Sequence, residues 1–488
     1  MAPPTSSGTG EGVPDGGWGW LVLAGSVISI GFSYATPKGV TVYYKEIQEV
    51  FDTTYSEIAW ISSIMLAFMY GFGPVCGVLV NKFGSRPVVI LGGVMAGVGM
   101  IIASFATSIM QLYICLGVLV GMGLAFNLQP SLTMIGVYFF KRRPIAYAVG
   151  MMGSPLLLST LAPLNQFLLN TFGWRGSFLI LGGILLNCCV AGALYRPLQL
   201  PVKKPTAEEK AAEEEMVPLA TVEGKKVKEV EVEEVKKRGA CGKIADLLDL
   251  TLFIHRGFMI YLVGNVLMYI GLLVPIVFLT PSAKHMGIEE YQAALLLTVL
   301  AVVDLVARPA WGAIANSPWL RPQIHNMLSL SILLTGVCDL LCPLATGFWG
   351  LAVFAVGFAV FYGLLCAVLF EALMDHVGAK RFPSALGLVT MAVCCPLLVG
   401  PPFGGWLVDK TGSYNAMYLT CGGIMVLAGL FLGIGNFIHF RLLRREQLHE
   451  QSQGQKSDLE LSGTRASSGI LHGESDLTHR NGKKETDA

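Results

Sequence analysis

Five ionisable side chains lie inside long apolar stretches of this sequence, namely Lys38, Asp304, Arg308, Asp339 and Glu371. A charge at the centre of a lipid bilayer costs about 2.5–3.5 kcal/mol on insertion scales, so such a residue usually faces the interior of a helix bundle or a path for a solute. The histidines lie in loops or near the ends of the apolar stretches. A proton carrier in this chain is therefore predicted to be a lysine or an aspartate.

Asp304 and Arg308 have the four-residue spacing of side chains that share one helix face. The planar guanidinium of Arg308 suits a carboxylate, because it donates two parallel hydrogen bonds. Asp304 would neutralise that charge while no anion is bound. The alternative is a purely structural pair that joins two helices.

Lys38 follows Pro37, and a proline weakens the helix at that point. Burial disfavours the charged form of a lysine, so Lys38 is a candidate for exchanging a proton. The alternative is that its side chain extends outward to the membrane surface. We hypothesise that a proton binds Lys38 or Asp304 and that a small carboxylate then pairs with Arg308, so that the cycle moves no net charge.

Two further groups of polar residues are candidates for function. Arg143 and Glu371 are both expected near the cytoplasmic face, where they would form a gate. Several uncharged polar residues could line a central cavity or only bond neighbouring helices: Tyr34, Asn127, Gln129, Asn165 and Asn265.

These residues belong to a chain that is too apolar for a water-soluble protein. Hydrophobic residues make up 53% of the 488 and charged residues only 14%, whereas soluble domains carry about 25% charged residues. A membrane-spanning helix needs about 20 apolar residues. Twelve such stretches are predicted, over residues 18–44, 58–80, 87–107, 111–134, 146–169, 177–194, 258–280, 291–314, 324–344, 350–370, 384–408 and 414–440.

The pattern predicts an all-α polytopic membrane protein built from two six-helix halves. Lysine and arginine are enriched in alternate loops, which places both termini in the cytoplasm. The predicted domains are a cytoplasmic N-terminal segment, a first bundle, a charged cytoplasmic linker, a second bundle and a disordered cytoplasmic tail, at residues 1–16, 17–196, 197–252, 253–440 and 441–488.

Enzyme chemistry finds no support in the sequence. It has no phosphate-binding loop that ends in Lys-Ser/Thr, no metal-ligand spacing and no nucleophile elbow. The net charge of +1 does not suggest a nucleic-acid partner. We expect no metal and no cofactor other than a co-transported proton.

Two loops share a pattern of glycines and charges. The first contains Gly77, Asn81, Lys82, Gly84 and Arg86, and residues 405–412 repeat most of it in the second half. This pattern resembles the loop motif of the major facilitator superfamily, which has an acid where Asn81 stands. The resemblance implies the twelve-helix fold of those transporters.

Longer motifs resemble the monocarboxylate transporters, the proton-linked carriers of lactate and pyruvate. Residues 14–20 (PDGGWGW) resemble the first signature of that family, and residues 138–155, which include KRRP and GSP, resemble the second. Further matches are residues 31–38, 60–66, 172–178, 304–309 and 400–402. The similarity covers about residues 13–440 without the linker.

The resemblance implies roles for particular residues and a setting for the protein. Lys38 and Asp304 would couple the proton, and Arg308 would bind the substrate, which makes the chain a proton-coupled symporter of short-chain monocarboxylates. It also implies the plasma membrane and a single-span immunoglobulin-type chaperone, basigin or embigin.

Departures from the family concern the substrate cavity. Tyr147 stands where proton-coupled members have a small amide, and Phe361 with Tyr362 supplies the aromatic residue that governs selectivity. We expect Tyr34, Tyr147, Phe361 and Tyr362 to contact substrate together with Arg308 and Lys38. Because Tyr147 is bulkier, the alternative is a facilitative carrier of another small solute, such as an aromatic amino acid or creatine.

Overall fold

The computed structural model describes residues 15–53, 55–196 and 249–446, and within these ranges it contains helices and turns but no β-strand. The predicted linker and the two predicted end segments lie almost wholly outside the described residues.

The first half is a series of apolar helices, several of which are shorter than a span and run almost directly into the next. A π-helical stretch, Tyr113–Val120, joins α6 to α7. The helices are α1 Trp18–Gly39, α2 Tyr44–Phe51, α3 Tyr55–Gly71, α4 Gly73–Phe83, α5 Ser85–Ala103, α6 Ile109–Leu112, α7 Gly121–Tyr138, α8 Arg143–Leu185 and α9 Asn187–Leu194.

The second half has fewer and longer helices. A short 3-10 helix, Leu250–Ile254, precedes them. They are α10 Arg256–His285, α11 Glu290–Ala315, α12 Ile324–Leu341, α13 Gly347–Thr411 and α14 Tyr414–Glu446.

Nine helices in the described ranges are long and apolar enough to cross a membrane, and the bent pair α3–α4 makes a tenth. Two of the nine change direction at a glycine with a positive φ, Gly173 (66°) and Gly378 (74°). Glycine adopts this conformation readily because it has no Cβ. Counting both parts of these two helices separately gives the twelve spans that the sequence predicts.

Glycines allow the two halves to approach each other closely at one side. A Cβ on Gly73 of α4 would lie 2.6 Å from the carbonyl oxygen of Gly387 on α13. About two helical turns further along α4, Asn81 donates a 2.9 Å hydrogen bond to the Ser384 hydroxyl. Small residues permit such backbone contact between membrane helices. The two halves are therefore closed against each other at the side that the loop charges predict to be cytoplasmic.

Candidate functional site

Asp304 and Arg308 form a two-pronged ion pair on α11, as their spacing predicts. Nε of Arg308 donates to Oδ1 of Asp304 at 2.8 Å, and Nη2 donates to Oδ2 at 2.6 Å. Both residues are buried, with 3% of their surface exposed. Burial away from water strengthens the attraction between the two charges, but it also makes an unpaired charge costly. Each charge therefore needs the other, or another group of opposite charge, to stay buried.

Arg308 also contacts the other half of the chain. Its Nη1 donates a 2.6 Å hydrogen bond to the carbonyl oxygen of Met151 on α8. The aromatic ring of Tyr362 lies 5.4 Å from the guanidinium carbon, within range of a cation–π interaction. The guanidinium therefore lies at the boundary between the two halves.

Lys38 lies in the last turn of α1, and its side chain is exposed. It nevertheless interacts electrostatically with both Arg308 and Asp304, which are buried. Its electrostatic interaction with this buried pair indicates that the ammonium lies on the inner side of the bundle. This placement favours the interior role of Lys38 over extension to the membrane surface.

Two pairs of polar side chains lie beside the cationic centre. Tyr34 lies close to Tyr70, and Tyr362 lies close to the Cys366 thiol. Tyr34, Tyr362 and Cys366 all interact electrostatically with Arg308. Tyr70 and Cys366 were not predicted. The signal for Cys366 was its four-residue spacing from Tyr362, whereas nothing in the sequence pointed to Tyr70.

Tyr34 and Tyr70 also line a small cavity together with residues of α10 and α13. Its volume is about 20 Å³, which is room for about one water molecule. Asn265 lines this cavity and donates to the carbonyl oxygen of Tyr261 on its own helix. Asn265 thus fits the cavity-lining alternative.

Gln129 and Asn165 bond neighbouring helices. Gln129 donates a 2.7 Å hydrogen bond to Thr390 in the other half. Asn165 donates to the carbonyl oxygen of Gly39 at 3.1 Å. These contacts fit the helix-bonding alternative. Phe361 is half-buried, and the ring that lies by Arg308 is that of its neighbour Tyr362.

Arg143 and Glu371 come together as the predicted gate requires, within a larger group. Nη1 of Arg143 lies 3.5 Å from Oε1 of Glu371 and 3.4 Å from Oδ1 of Asp375. Arg321 makes the shorter contact to Glu371, at 2.7 Å. We call Arg143, Arg321, Glu371 and Asp375 the gate cluster. Glu371 is fully buried, so its charge depends on these two arginines.

Arg321 and Asp375 were not predicted as parts of the gate. Asp375 follows Glu371 by four residues on α13, which puts both carboxylates on one helix face. This spacing was a usable signal. Arg321 stands in the short loop between α11 and α12, and its sequence context indicated only membrane topology.

Tyr147 lies at the gate cluster, whereas the sequence predicts that it contacts substrate together with Arg308. It is fully buried, its ring packs against Phe370 and Phe382 at 6.0 and 6.4 Å, and it interacts electrostatically with Arg143 and Glu371. Side chains on a helix lean toward its N-terminus. Tyr147 therefore leans toward the end of α8 that carries Arg143, one turn before Met151.

The family model of the Major Facilitator Superfamily matches residues 21–324 and 323–471. Monocarboxylate transporter 2 of Homo sapiens is 54% identical over 93% of this chain and 92% of its own length. Monocarboxylate transporter 1 of Mus musculus is 50% identical over 93% and 92%.

Solved structures of low sequence identity share the fold. The proton:xylose symporter XylE, solved with 6-bromo-6-deoxy-D-glucose, superposes with a TM-score of 0.60 at 16% identity, over 85% of this chain and 94% of its own. The human organic anion transporter MFSD10 (TETRAN) gives 0.62 at 13% identity, over 85% and 98%. The described helices thus adopt the major facilitator fold.

Proposed function

Since the chain belongs to the monocarboxylate transporter family of the major facilitator superfamily, we propose that it carries short-chain monocarboxylates such as lactate, pyruvate and ketone bodies together with a proton across the plasma membrane. It is a transporter and not an enzyme. The substrates and the proton are the proposal, and the relatives' names and the geometry at Arg308 support them.

The observation that carries the proposal is the ion pair of Asp304 and Arg308 beside Lys38. Two cations and one anion leave one positive charge without a partner. A single carboxylate neutralises this charge, and the planar fork of Arg308 suits its geometry. A site of this composition fits a small monoanion better than a neutral solute.

Proton coupling follows from the same three side chains. The positive charge without a partner is the transported proton, bound on Lys38, and when this proton passes to Asp304, Arg308 loses its internal partner. The substrate carboxylate then replaces Asp304 at the guanidinium. Because an anion and a proton cross together, the transport cycle moves no net charge.

Alternating access is the second requirement of a carrier. The gate cluster closes one side of the boundary between the halves, while Lys38 stays exposed near the site. Substrate would enter from the open side, and neutralising the site would allow the halves to separate at the gate cluster. This is a rocking motion about a central site, as in other transporters of this fold.

The setting of the protein is part of the proposal. Both termini would be cytoplasmic, which places the gate cluster at the cytoplasmic face. The resemblance of residues 14–20 and 138–155 to the family implies a single-span immunoglobulin-type chaperone, basigin or embigin, and a plasma-membrane location. Co-expression with each partner should raise the surface level of the protein, and an unchanged level with both would remove this part of the proposal.

The decisive experiment is uptake of labelled lactate by reconstituted vesicles, with and without an inward proton gradient. We expect acid-stimulated uptake in the parent and none in Arg308→Ala. Arg175→Lys is the control, since Arg175 bonds the carbonyl oxygen of Ala106 away from the site. An uptake rate that changes neither with the proton gradient nor with the Arg308 substitution would exclude the proposal. Labelled creatine and tryptophan, tested in parallel, would reveal the facilitative alternative.

A further inference from the structure

The N-terminal motif does not take part in the site at Arg308, but the structure describes its residues 15–20. Asp15 adopts a left-handed backbone conformation with a φ of 38°, and Gly17 does the same at 56°. Residues other than glycine, asparagine and aspartate rarely adopt this conformation. These two residues bend the chain just before α1 begins at Trp18, so that the Asp15 carboxylate lies against the turn between α7 and α8.

The Asp15 carboxylate accepts hydrogen bonds from three successive backbone N–H groups of that turn. The N–H groups of Phe140, Lys141 and Arg142 donate to Oδ1 at 2.9, 2.9 and 3.3 Å. The N–H of Lys141 also reaches Oδ2 at 3.1 Å. A carboxylate that accepts several backbone N–H groups makes strong, charge-assisted bonds. Asp15 therefore fixes the position of the turn.

Arg321, in the other half of the chain, binds the opposite ends of the same peptide groups. Its Nη2 donates to the carbonyl oxygen of Phe140 at 3.1 Å and its Nη1 to that of Lys141 at 3.3 Å. The carbonyl of Phe140 and the N–H of Lys141 belong to one peptide group, and the carbonyl of Lys141 and the N–H of Arg142 belong to the next. Each of these two peptide groups thus lies between the carboxylate of Asp15 and the guanidinium of Arg321.

The Asp15 carboxylate, the two peptide groups and the Arg321 guanidinium thus form a row, and the order of charges strengthens each hydrogen bond in it. An anion at the N–H end and a cation at the carbonyl end both align with the dipole of the peptide group, and hydrogen bonds in such a chain polarise one another. Arg321 continues the row to Glu371 at 2.7 Å. Asp15 and the turn belong to the first half, while Arg321 and Glu371 belong to the second. The row must therefore break when the halves separate at this side.

We propose that Asp15 is a positioning residue of the gate cluster: it acts through the two peptide groups of residues 140–142 on Arg321 and stabilises the conformation in which this side is closed. It touches neither the substrate site nor Glu371. The proposal rests on the proposed transport function, because a gate has a role only in a carrier. Its test requires no substrate, so a failure of the proposed function would not be mistaken for a failure of this inference.

The experiment measures the separation of the halves directly. Spin labels at Lys82 and Lys380, both exposed, lie near the ends of segments that Asn81 and Ser384 join across the boundary. Their distance distribution is measured by double electron–electron resonance on the full-length chain with its native cysteines replaced. In Asp15→Asn the ratio of open to closed populations should rise about fivefold, the effect of losing about one net hydrogen bond.

Two further variants separate this role from a merely local one. Asp52 is the matched control, since it has the same left-handed conformation (φ 48°) at the end of α2, and Asp52→Asn should leave the ratio unchanged. In an Arg321→Gln background, Asp15→Asn should add less than about a twofold change, because its partner through the peptide groups is gone. An unchanged ratio in Asp15→Asn, an equal rise in Asp52→Asn, or the full rise in the Arg321→Gln background would overturn the proposal.

Arg321→Lys tests the same contact from the other side if Asp15→Asn is not recovered as folded protein. A lysine ammonium lacks the fork that serves two carbonyl oxygens and a carboxylate together. The open population should rise at least as much as for Asp15→Asn, and an unchanged ratio would again overturn the proposal.

Discussion

Nη1 of Arg308 on α11 donates a 2.6 Å hydrogen bond to the carbonyl oxygen of Met151 on α8. One guanidinium thus joins the two halves of the chain, while its Nε and Nη2 donate hydrogen bonds to the Asp304 carboxylate. In the proposed function, a substrate carboxylate replaces Asp304 at this guanidinium. Substrate binding would then use the same side chain as the contact between the halves, which would link occupancy of the site to conformational change.

Arg308→Lys should lower lactate uptake at least about 100-fold, although it retains the positive charge. An ammonium cannot make the two parallel bonds of the guanidinium and cannot bridge Asp304 and Met151 in the same way. The measurement is the initial uptake rate at acidic outside pH, normalised to the amount of protein at the surface. Arg175→Lys is the matched control, with uptake within about twofold of the parent. Uptake near the parental rate in Arg308→Lys would show that only charge matters.

Asp304→Asn should destabilise the protein by about 3 kcal/mol, because it leaves the buried guanidinium of Arg308 without its counter-ion. Asp304→Asn combined with Arg308→Gln removes both charges and should recover most of this loss, without recovering transport. Thermal unfolding in detergent measures the first effect and vesicle uptake the second. Equal destabilisation by the single and double variants would contradict the view that the two charges depend on each other.

The pairing of Asp304 with Arg308 was predictable because both residues lie on one helix, where spacing determines which side chains meet. The twelve spans were predictable because length and hydropathy alone decide which segments can cross a membrane. Arg321 was not predictable in the same way. Its partners Glu371 and Phe140 lie on other elements, and no local pattern specifies a contact between the halves.

Tyr147 illustrates a second limit. The sequence showed that a bulky residue replaces a small amide, but not how α8 is oriented toward the other half. Met151, one turn further along α8, reaches Arg308, while Tyr147 reaches the gate cluster. A displacement of one helical turn thus decides which of the two clusters a residue of α8 reaches.

Tyr147→Phe should leave the KM for lactate within about twofold of the parent and should not destabilise the protein. Among the described residues its hydroxyl is buried without a hydrogen-bond partner, and leaving such a group unpaired costs about 1–3 kcal/mol. Tyr261→Phe is the contrasting variant, since the Tyr261 hydroxyl donates to the carbonyl oxygen of Leu369 at 3.0 Å. It should lose about 1 kcal/mol. A large change in KM for Tyr147→Phe would indicate that Tyr147 contacts the substrate.

Asp249 and Arg381 connect the segment before α10 to the break in α13, at the side of the gate cluster. Nε and Nη2 of Arg381 each donate a 2.7 Å hydrogen bond to the Asp249 carboxylate. These bonds to the guanidinium hold the pKa of Asp249 below its ordinary value. The contribution of the pair to stability is therefore fully present above about pH 4, the ordinary value for an aspartate, and is lost as the pH falls through the lowered pKa.

Asp249→Asn should consequently reduce stability at pH 7 by less than about 1 kcal/mol, because both side chains are partly exposed and water screens the pair. The difference from the parent should shrink as the pH is lowered below about 4, where the parent carboxylate also becomes neutral. Thermal unfolding of parent and variant across this pH range measures it, with Asp52→Asn as the control for an exposed aspartate outside any ion pair in the described structure. A difference that stays constant or grows toward acid pH would contradict the assigned sign.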